Sequence, residues 1–560
     1  MKVFNYISAF LLAGAAIIVS CSQNEEMEGM EFSQNFQINV FDGGYQNIDA
    51  IGTRAAEKDY STKFTAGDAI GVFAVKNGNV VEDISNRKFV MNDGIWELND
   101  GGDAISYKAN DFQKMTFYAY YPYNESVTFE PSKDDPFETY VQNWQIGNDQ
   151  DANYTNYDLM TSTGDVQGDR LKGKIAFSMQ HRMALAVIQM PEIVYSFTNE
   201  PAIDDYKLPV AVGDFNVDGA SAKPFYQEST DAYRFLVKPS KTFTITGSYT
   251  GVKEMNYEIK KTLEGGTAKK YVIEDPNKIS HLLAVGDYYC ADGKIVSASE
   301  SAPANAIGVV FYAGNPQPSV THPEKYTIDK DPLRRDCPEC KHGLVLALNN
   351  GKIKGTDENE TLVETARFST ANKLYYGTWF RADEDYKDAY VDMERQKVAP
   401  TAGSQGYNNT VLMEVGANRT DDSKKASGNA LEALDYYRSA VSVPTVSTKW
   451  FFPSDYDLIT LHDVVTKVNT SIGNTNGTQL VINDGDTKNG TFYWSNTERN
   501  NEWMWGNTMG SGNDTYSPSG SGSLTAKRYD GGYVGYFRND ALEHWYIRTY
   551  NRQFGSGSLN

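Results

Sequence analysis

Four residues have the types that could hold a metal ion or do redox work: Cys290, Cys337, Cys340 and His342. The row Cys337-Pro338-Glu339-Cys340-Lys341-His342 brings two thiols and an imidazole close together in sequence. With Cys290 they make a four-ligand set of the kind zinc takes. A disulfide competes with that reading in an exported chain, and it would leave one of these three cysteines over. Plain thiols are the third reading, and residue types alone leave all three open. A redox dithiol is disfavoured, because no helical pattern opens at this row. No other chemistry stands out. The sequence has no H-E-x-x-H, no G-x-S-x-G, no Walker loop and no dinucleotide fingerprint. It holds 6 His, and its net charge of −21 makes carboxylate pairs too common to point anywhere. His181 lies in a strand-like row and reads as structural. No catalytic residue and no cofactor are expected. The acidity, with a pI near 4.8, also argues against nucleic acid as a partner.

The first residues set the compartment. Lys2 is followed by an apolar run from Ile7 to Val19 and then Ser20-Cys21. That run is too short to span a membrane as a mature helix and reads as a secretory signal over 1–20. The row Ile18-Val19-Ser20-Cys21 resembles a bacterial lipobox, which implies acylation of Cys21, a palmitate-bearing lipoprotein and an outer-membrane lipid anchor. The acidic row that follows, with Glu25, Glu26, Glu28 and Glu31, reads as a tether and resembles a surface-export signal.

The elements that must position everything else are mostly strands. Aromatic residues make up 13% of the chain, 37 of them Tyr, and Gly is plentiful, so the composition suits strands joined by tight turns. Phe36-Gln37-Ile38-Asn39-Val40 alternates apolar and polar residues and predicts a short half-buried strand. Gly52-Thr53-Arg54-Ala55-Ala56 is small and flexible around one Arg. Phe64 to Val75 predicts two strands about a turn at Gly67-Asp68, Asn92-Asp93-Gly94 predicts a hairpin before Trp96, and Met115 to Tyr121 predicts a strand ended by Pro122.

Five rows in order carry a resemblance: "FTAGDAIGVFAV", "GIWEL", "MTFYAYYPYN", "YDLMTS" at 157–162 and "GKIAFSMQHRMALAVIQM" at 173–190. Together they resemble the fimbrillin family of type V pili. The resemblance implies two tandem β-sandwich domains of transthyretin-like type, placed at 55–172 and 173–280. It also implies a removable first strand within 21–54. The resemblance further implies that a protease cuts after an Arg in a small-residue loop, a position that Arg54 and Ala55 match. The first strand then departs, and a strand from another fimbrillin subunit fills the groove by β-augmentation.

From 281 to 560 the rows change character. "VGDYYCADGKIVS", the Cys337–Leu348 row, "KWFFPSDYDLITL" and "FYWSNTE" are together similar to a lectin-like module of α+β type, with Asn496 where Ser is common. Ser454 after Pro453 predicts a helix N-cap, with Asp455 and Asp457 in the first turn. Ala430, Leu434 and Tyr437 predict a second helix over 430–439. Most of the tryptophans read as core. Trp503 and Trp505 sit in the polar, loop-like row "NNEWMWGN" and read as candidates for a ligand surface. The enzymes that share a lectin-like fold use a cysteine, and none follows Cys340. Calcium-dependent sugar-binding rows are also absent.

These readings converge on a mainly β surface protein of the fimbrium that is not an enzyme. The last residues, Gly555-Ser-Gly-Ser-Leu-Asn560, make a poor donor strand, which favours a tip subunit adhering to a host or bacterial glycan or protein through 281–560. The alternative is a non-polymerising surface lipoprotein that binds glycan or protein directly.

Overall fold

The computed structural model describes residues 36–48, 60–61, 63–105, 114–168, 173–354, 362–363, 365–367, 403–417, 429–482, 493–498, 503–507, 509, 523–527 and 531–533. The fold is mainly β with few helices, in two compact units. One runs to Pro191 and takes in 211–250 and 254–274. The other holds 192–210, 251–253 and the chain from Asp275 on.

The first unit opens with strands β1 (Gln37–Asp42), β2 (Gln46–Asn47), β3 (Ala69–Lys76), β4 (Asn79–Val80), β5 (Arg87–Asn92), β6 (Ile95–Leu98), β7 (Thr116–Tyr121), β8 (Met160–Ser162) and β9 (Lys174–His181). All but β2 lie in one sheet of order β4-β3-β5-β6-β1-β9-β8-β7, and an additional β3–β7 pairing closes it. Where two open facing sheets were expected, the first domain is therefore barrel-like. Closure leaves the ring no unpaired edge. Alternation fills the interior: Ile38, Ile70, Val72, Phe89, Trp96, Phe117, Ile175 and Phe177 form one buried cluster. The β5–β6 turn uses Asp93 and Gly94 at φ +47° and +83°, the left-handed pair that a two-residue hairpin needs. The row before β3 forms only a turn, with the Thr65 N–H bonded to Asp68 Oδ2 at 2.6 Å, rather than the first of two strands.

The second domain begins at β10 (Ala184–Gln189). It is a sandwich of a five-stranded and a four-stranded sheet, packed through Ala186, Ile188, Phe235 and Tyr271 against Phe215, Phe243, Ile245 and Ile259. The expected division at 172–173 thus falls inside the first sheet, since β9 belongs there. In the second unit the strand Glu192–Phe197 pairs on one side with Tyr206–Pro209 and on the other with Lys278–His281.

The second unit is an α+β arrangement. A four-stranded antiparallel sheet built from 288–290, 295–296, 306–313 and 343–347 packs on the helix Asp455–Gly473. That helix buries Leu458, Leu461, Val465, Val468 and Ile472, spaced by three and four residues. Ser454 caps it with a capping box closed by Asp457. The helix expected at 430–439 spans Asn429–Ala440. Trp450 and Trp494 are core. Among the described residues no helix is long and apolar enough to cross a membrane.

Candidate functional site

The first strand sits inside the sheet. β1 runs parallel to β9 from Gln37↔Lys174 to Asp42↔Met179, and meets β6 antiparallel at Ile38↔Trp96. Ile38 is 4% exposed, and Phe36 and Val40 pack against the same cluster. The Phe36 ring lies 5.9 Å from Phe89 and 6.1 Å from Phe117. Phe41, on the opposite face, is 58% exposed. Burying Ile38 contributes about 1.5–3 kcal/mol, and the partly buried Phe36 and Val40 contribute less. The strand is therefore an integral stave, and withdrawing it would leave a long slot with two unpaired edges.

The chain leaves β1 through Gly43-Gly44. A Cβ on Gly43 would stand 2.8 Å from the Met179 carbonyl oxygen, and Gly44 adopts φ +71°, so this exit needs glycine at both places. The segment then binds a second sheet. The Gln46 N–H donates to Gly266 O at 2.8 Å and the Ile48 N–H to Ala268 O at 3.1 Å, with β2 parallel to the strand Thr267–Val272.

At the end of the slot lies a buried polar cluster. His181, at the end of β9, is 3% exposed. Its Nδ1 lies 2.9 Å from Asp158 Oδ1. Its Nε2 lies 2.9 Å from Asp42 Oδ1, an ion pair off the line of an ideal hydrogen bond. The Tyr45 ring stacks on the imidazole at 3.8 Å and 18°, and its hydroxyl donates to Asp158 Oδ1 at 2.7 Å. Burial alone would push the imidazole down, but Asp158 and then Asp42 outweigh it and raise it to about 9. The Tyr45 phenol is held well above its usual value, first by burial and then by Asp158. His181 is therefore a structural cation that ties together Asp42 and Tyr45 from the first segment and Asp158 from the body. Sequence reasoning found only the histidine. The available signal for Asp42 was its place on the apolar face, following Phe36, Ile38 and Val40 at alternate positions.

Cys21, Arg54 and Ala55 lie outside the described residues, as do the signal row and the C-terminal tail. The four-ligand set is not assembled. Cys290, Cys337 and Cys340 are free thiols, and among the described residues no group of three or more metal-ligating side chains converges. Cys290 is buried, and burial pushes its thiol up to about 11. Cys337 and Cys340 are neighbours across a turn, with the Cys340 N–H donating to Cys337 O at 3.0 Å. Burial and then Cys337 push the Cys340 thiol up to about 12. His342 turns away, its Nε2 3.2 Å from the Asp205 carbonyl oxygen. Thiols raised this far are poor nucleophiles and poor ligands. Beside them lies a cavity of about 120 Å³, lined by Tyr206, Tyr289, Val310, Cys340, Val446 and Trp450 among others. Trp503 and Trp505 lie in the strand Trp503–Asn507, paired on both sides with Tyr493–Glu498 and Ser523–Lys527. A strand therefore stands where a loop was expected.

Residues 53–284 match the family model described as fimbrillin-like. Over 549 residues the chain is 32% identical to a Bacteroides ovatus protein named as a proposed fimbrium tip subunit, Fim1C, covering 93% of this chain and 96% of that one. A crystal structure of a fimbrial protein from Bacteroides ovatus superposes with TM-score 0.55 at 28% identity, covering 89% of this chain and 98% of that one. The chain belongs to the fimbrillin-like family, a family of fimbrial subunits, which places it with the subunits of a cell-surface appendage.

Proposed function

We propose that the chain is the tip subunit of a type V pilus, assembled by release of its first strand and entry of another subunit's strand into the slot. The observation that carries this reading is the position of β1. It is a central stave of a closed sheet, yet only the connection through Arg54 ties it to the rest of the chain on its C-terminal side. A cut between Arg54 and Ala55 would free it without breaking any other covalent link. The name of the Bacteroides ovatus relative supports the tip position. In this reading Cys21 is acylated and holds the precursor in the outer membrane until the cut. The C-terminal unit, proposed as lectin-like, then meets a surface glycan or protein, with Trp503 and Trp505 as candidate contacts. N-terminal sequencing of protein sheared from intact cells tests the proposal. A start at Ala55 supports release and assembly. A blocked, acylated Cys21 on the mature surface protein would instead mean a non-polymerising lipoprotein.

A further inference from the structure

The slot makes a demand on whatever replaces β1, and this inference rests on the strand-replacement reading above. Phe36, Ile38 and Val40 fill the apolar part of the slot at alternate positions. The next inward position is Asp42, which the register opposes to Met179 beside the end of β9. There the lining changes from hydrocarbon to the His181 imidazole. Withdrawal of the first segment takes away both Asp42 and the Tyr45 ring and leaves His181 with Asp158. The groups that face this point are few. Asp42 and Tyr45 come from the first segment, Asp158 from the C-cap of the short helix Tyr154–Tyr157 before β8, and Tyr154 and Arg234 stand behind them. The Arg234 guanidinium lies 5.2 Å over the Tyr60 ring. The Tyr154 phenol is held above its ordinary value by burial and by Asp158, against the pull of Arg234.

A buried imidazolium that loses a counter-charge 2.9 Å away incurs a desolvation cost unless the newcomer supplies another. A carboxylate supplies it best, because the ring is cationic here and the contact is an ion pair. We propose that His181 selects the incoming strand: the segment that fills the slot in the assembled fibre runs parallel to β9 and carries Asp or Glu at the place of Asp42, following apolar residues at the places of Phe36, Ile38 and Val40. The apolar positions give affinity to many alternating strands. The acidic one discriminates among them and fixes the register, since a slip of one residue would turn the carboxylate to the outside and a slip of two would bring an apolar group to the imidazole.

The test uses the full chain with a specific protease site in place of Gly52–Ala55. The chain is cut, and the freed segment is exchanged against a labelled synthetic peptide with the sequence of residues 36–45. The peptide should enter at pH 7, and its Asp42→Asn form should bind about tenfold more weakly. That gap should close in a His181→Gln chain, and also above the pH at which His181 loses its proton, about 9. Equal binding of the two peptides to the unaltered chain at pH 7 overturns the proposal and leaves strand replacement standing, because the slot still accepts a strand. If neither peptide enters, strand replacement itself falls and the selection falls with it. Should the His181→Gln chain fail to fold, the peptide substitution on the unaltered chain decides between these outcomes alone.

Discussion

His181 in the first unit and Asn496 in the second are both buried polar side chains that bind rows far apart in sequence. Asn496 Nδ2 donates to Gly406 O and to Phe452 O, each at 2.9 Å, and its Oδ1 accepts from Asn409 at 3.1 Å. Every one of these partners of Asn496 lies within the body of its own unit. His181 instead commits one ring nitrogen to the body, through Asp158, and the other to a segment upstream of Arg54. The two clusters share one chemistry, polar groups buried and paired in a core, but they differ in permanence. The second locks a fold, while the first locks in a part that proteolysis could dismiss.

The largest expected effect tests the permanent cluster. Asn496→Leu removes a donor and an acceptor and leaves the Gly406 and Phe452 carbonyls to share the Thr410 hydroxyl alone among these side chains. It should cost roughly 3–4 kcal/mol and melt the second unit early in calorimetry, with the first unit's transition unmoved. A single shifted transition would break the comparison by showing one cooperative system. Next is Ile38→Ala, which empties the middle of the slot at a cost of about 2–4 kcal/mol. Limited proteolysis should then cut within 36–48 many-fold faster while the strands from β3 on resist. Uniform digestion would mean that β1 is no separable part.

A smaller effect comes from pH. The folded value of His181 is about 9, raised above its ordinary value near 6.5. Its stabilising contribution is therefore fully present below about 6.5 and lost as pH rises through about 9. Denaturant midpoints should fall by the equivalent of roughly 1–3 kcal/mol between pH 6.5 and 10, and Asp42→Asn should flatten that slope. An unchanged slope in the variant would place the titration elsewhere. The smallest effect concerns thiols. With Cys290 raised to about 11 and Cys340 to about 12, alkylation of these two thiols in the folded chain at pH 7.5 should be far slower than in denaturant. Fast labelling would show thiolates that this structure does not hold.

Much of this was legible in the sequence, for local reasons. The alternation through Phe36, Ile38 and Val40 marks β1, and Asp93-Gly94 marks the β5–β6 hairpin. Ser454 with Asp457 three residues on marks the helix start, because a capping box is written within one turn. Long-range pairing left less trace. Closure of the first sheet depends on β3 meeting β7 across β5 and β6, and no row records it. The boundary between the first two domains was hidden because β9 and β10 form one nearly continuous apolar row, broken only at Arg182-Met183. Trp503 and Trp505 sit among Asn and Glu and looked like a loop, yet pairing on both sides overrides composition. The four-ligand spacing at 337–342 does not report direction: the turn at 337–340 sends His342 to the Asp205 carbonyl.

The parallel register of β1 with β9 has a temporal consequence. Gln37 emerges from synthesis and export long before Lys174, its neighbour in the sheet, so the first strand must wait unpaired until nearly the whole domain has followed it. Contacts of such high order form slowly. A cut at Arg54 made in that interval would discard the strand before the slot existed. The proposed release of β1 therefore requires a schedule, in which the precursor completes its barrel first and the cut follows.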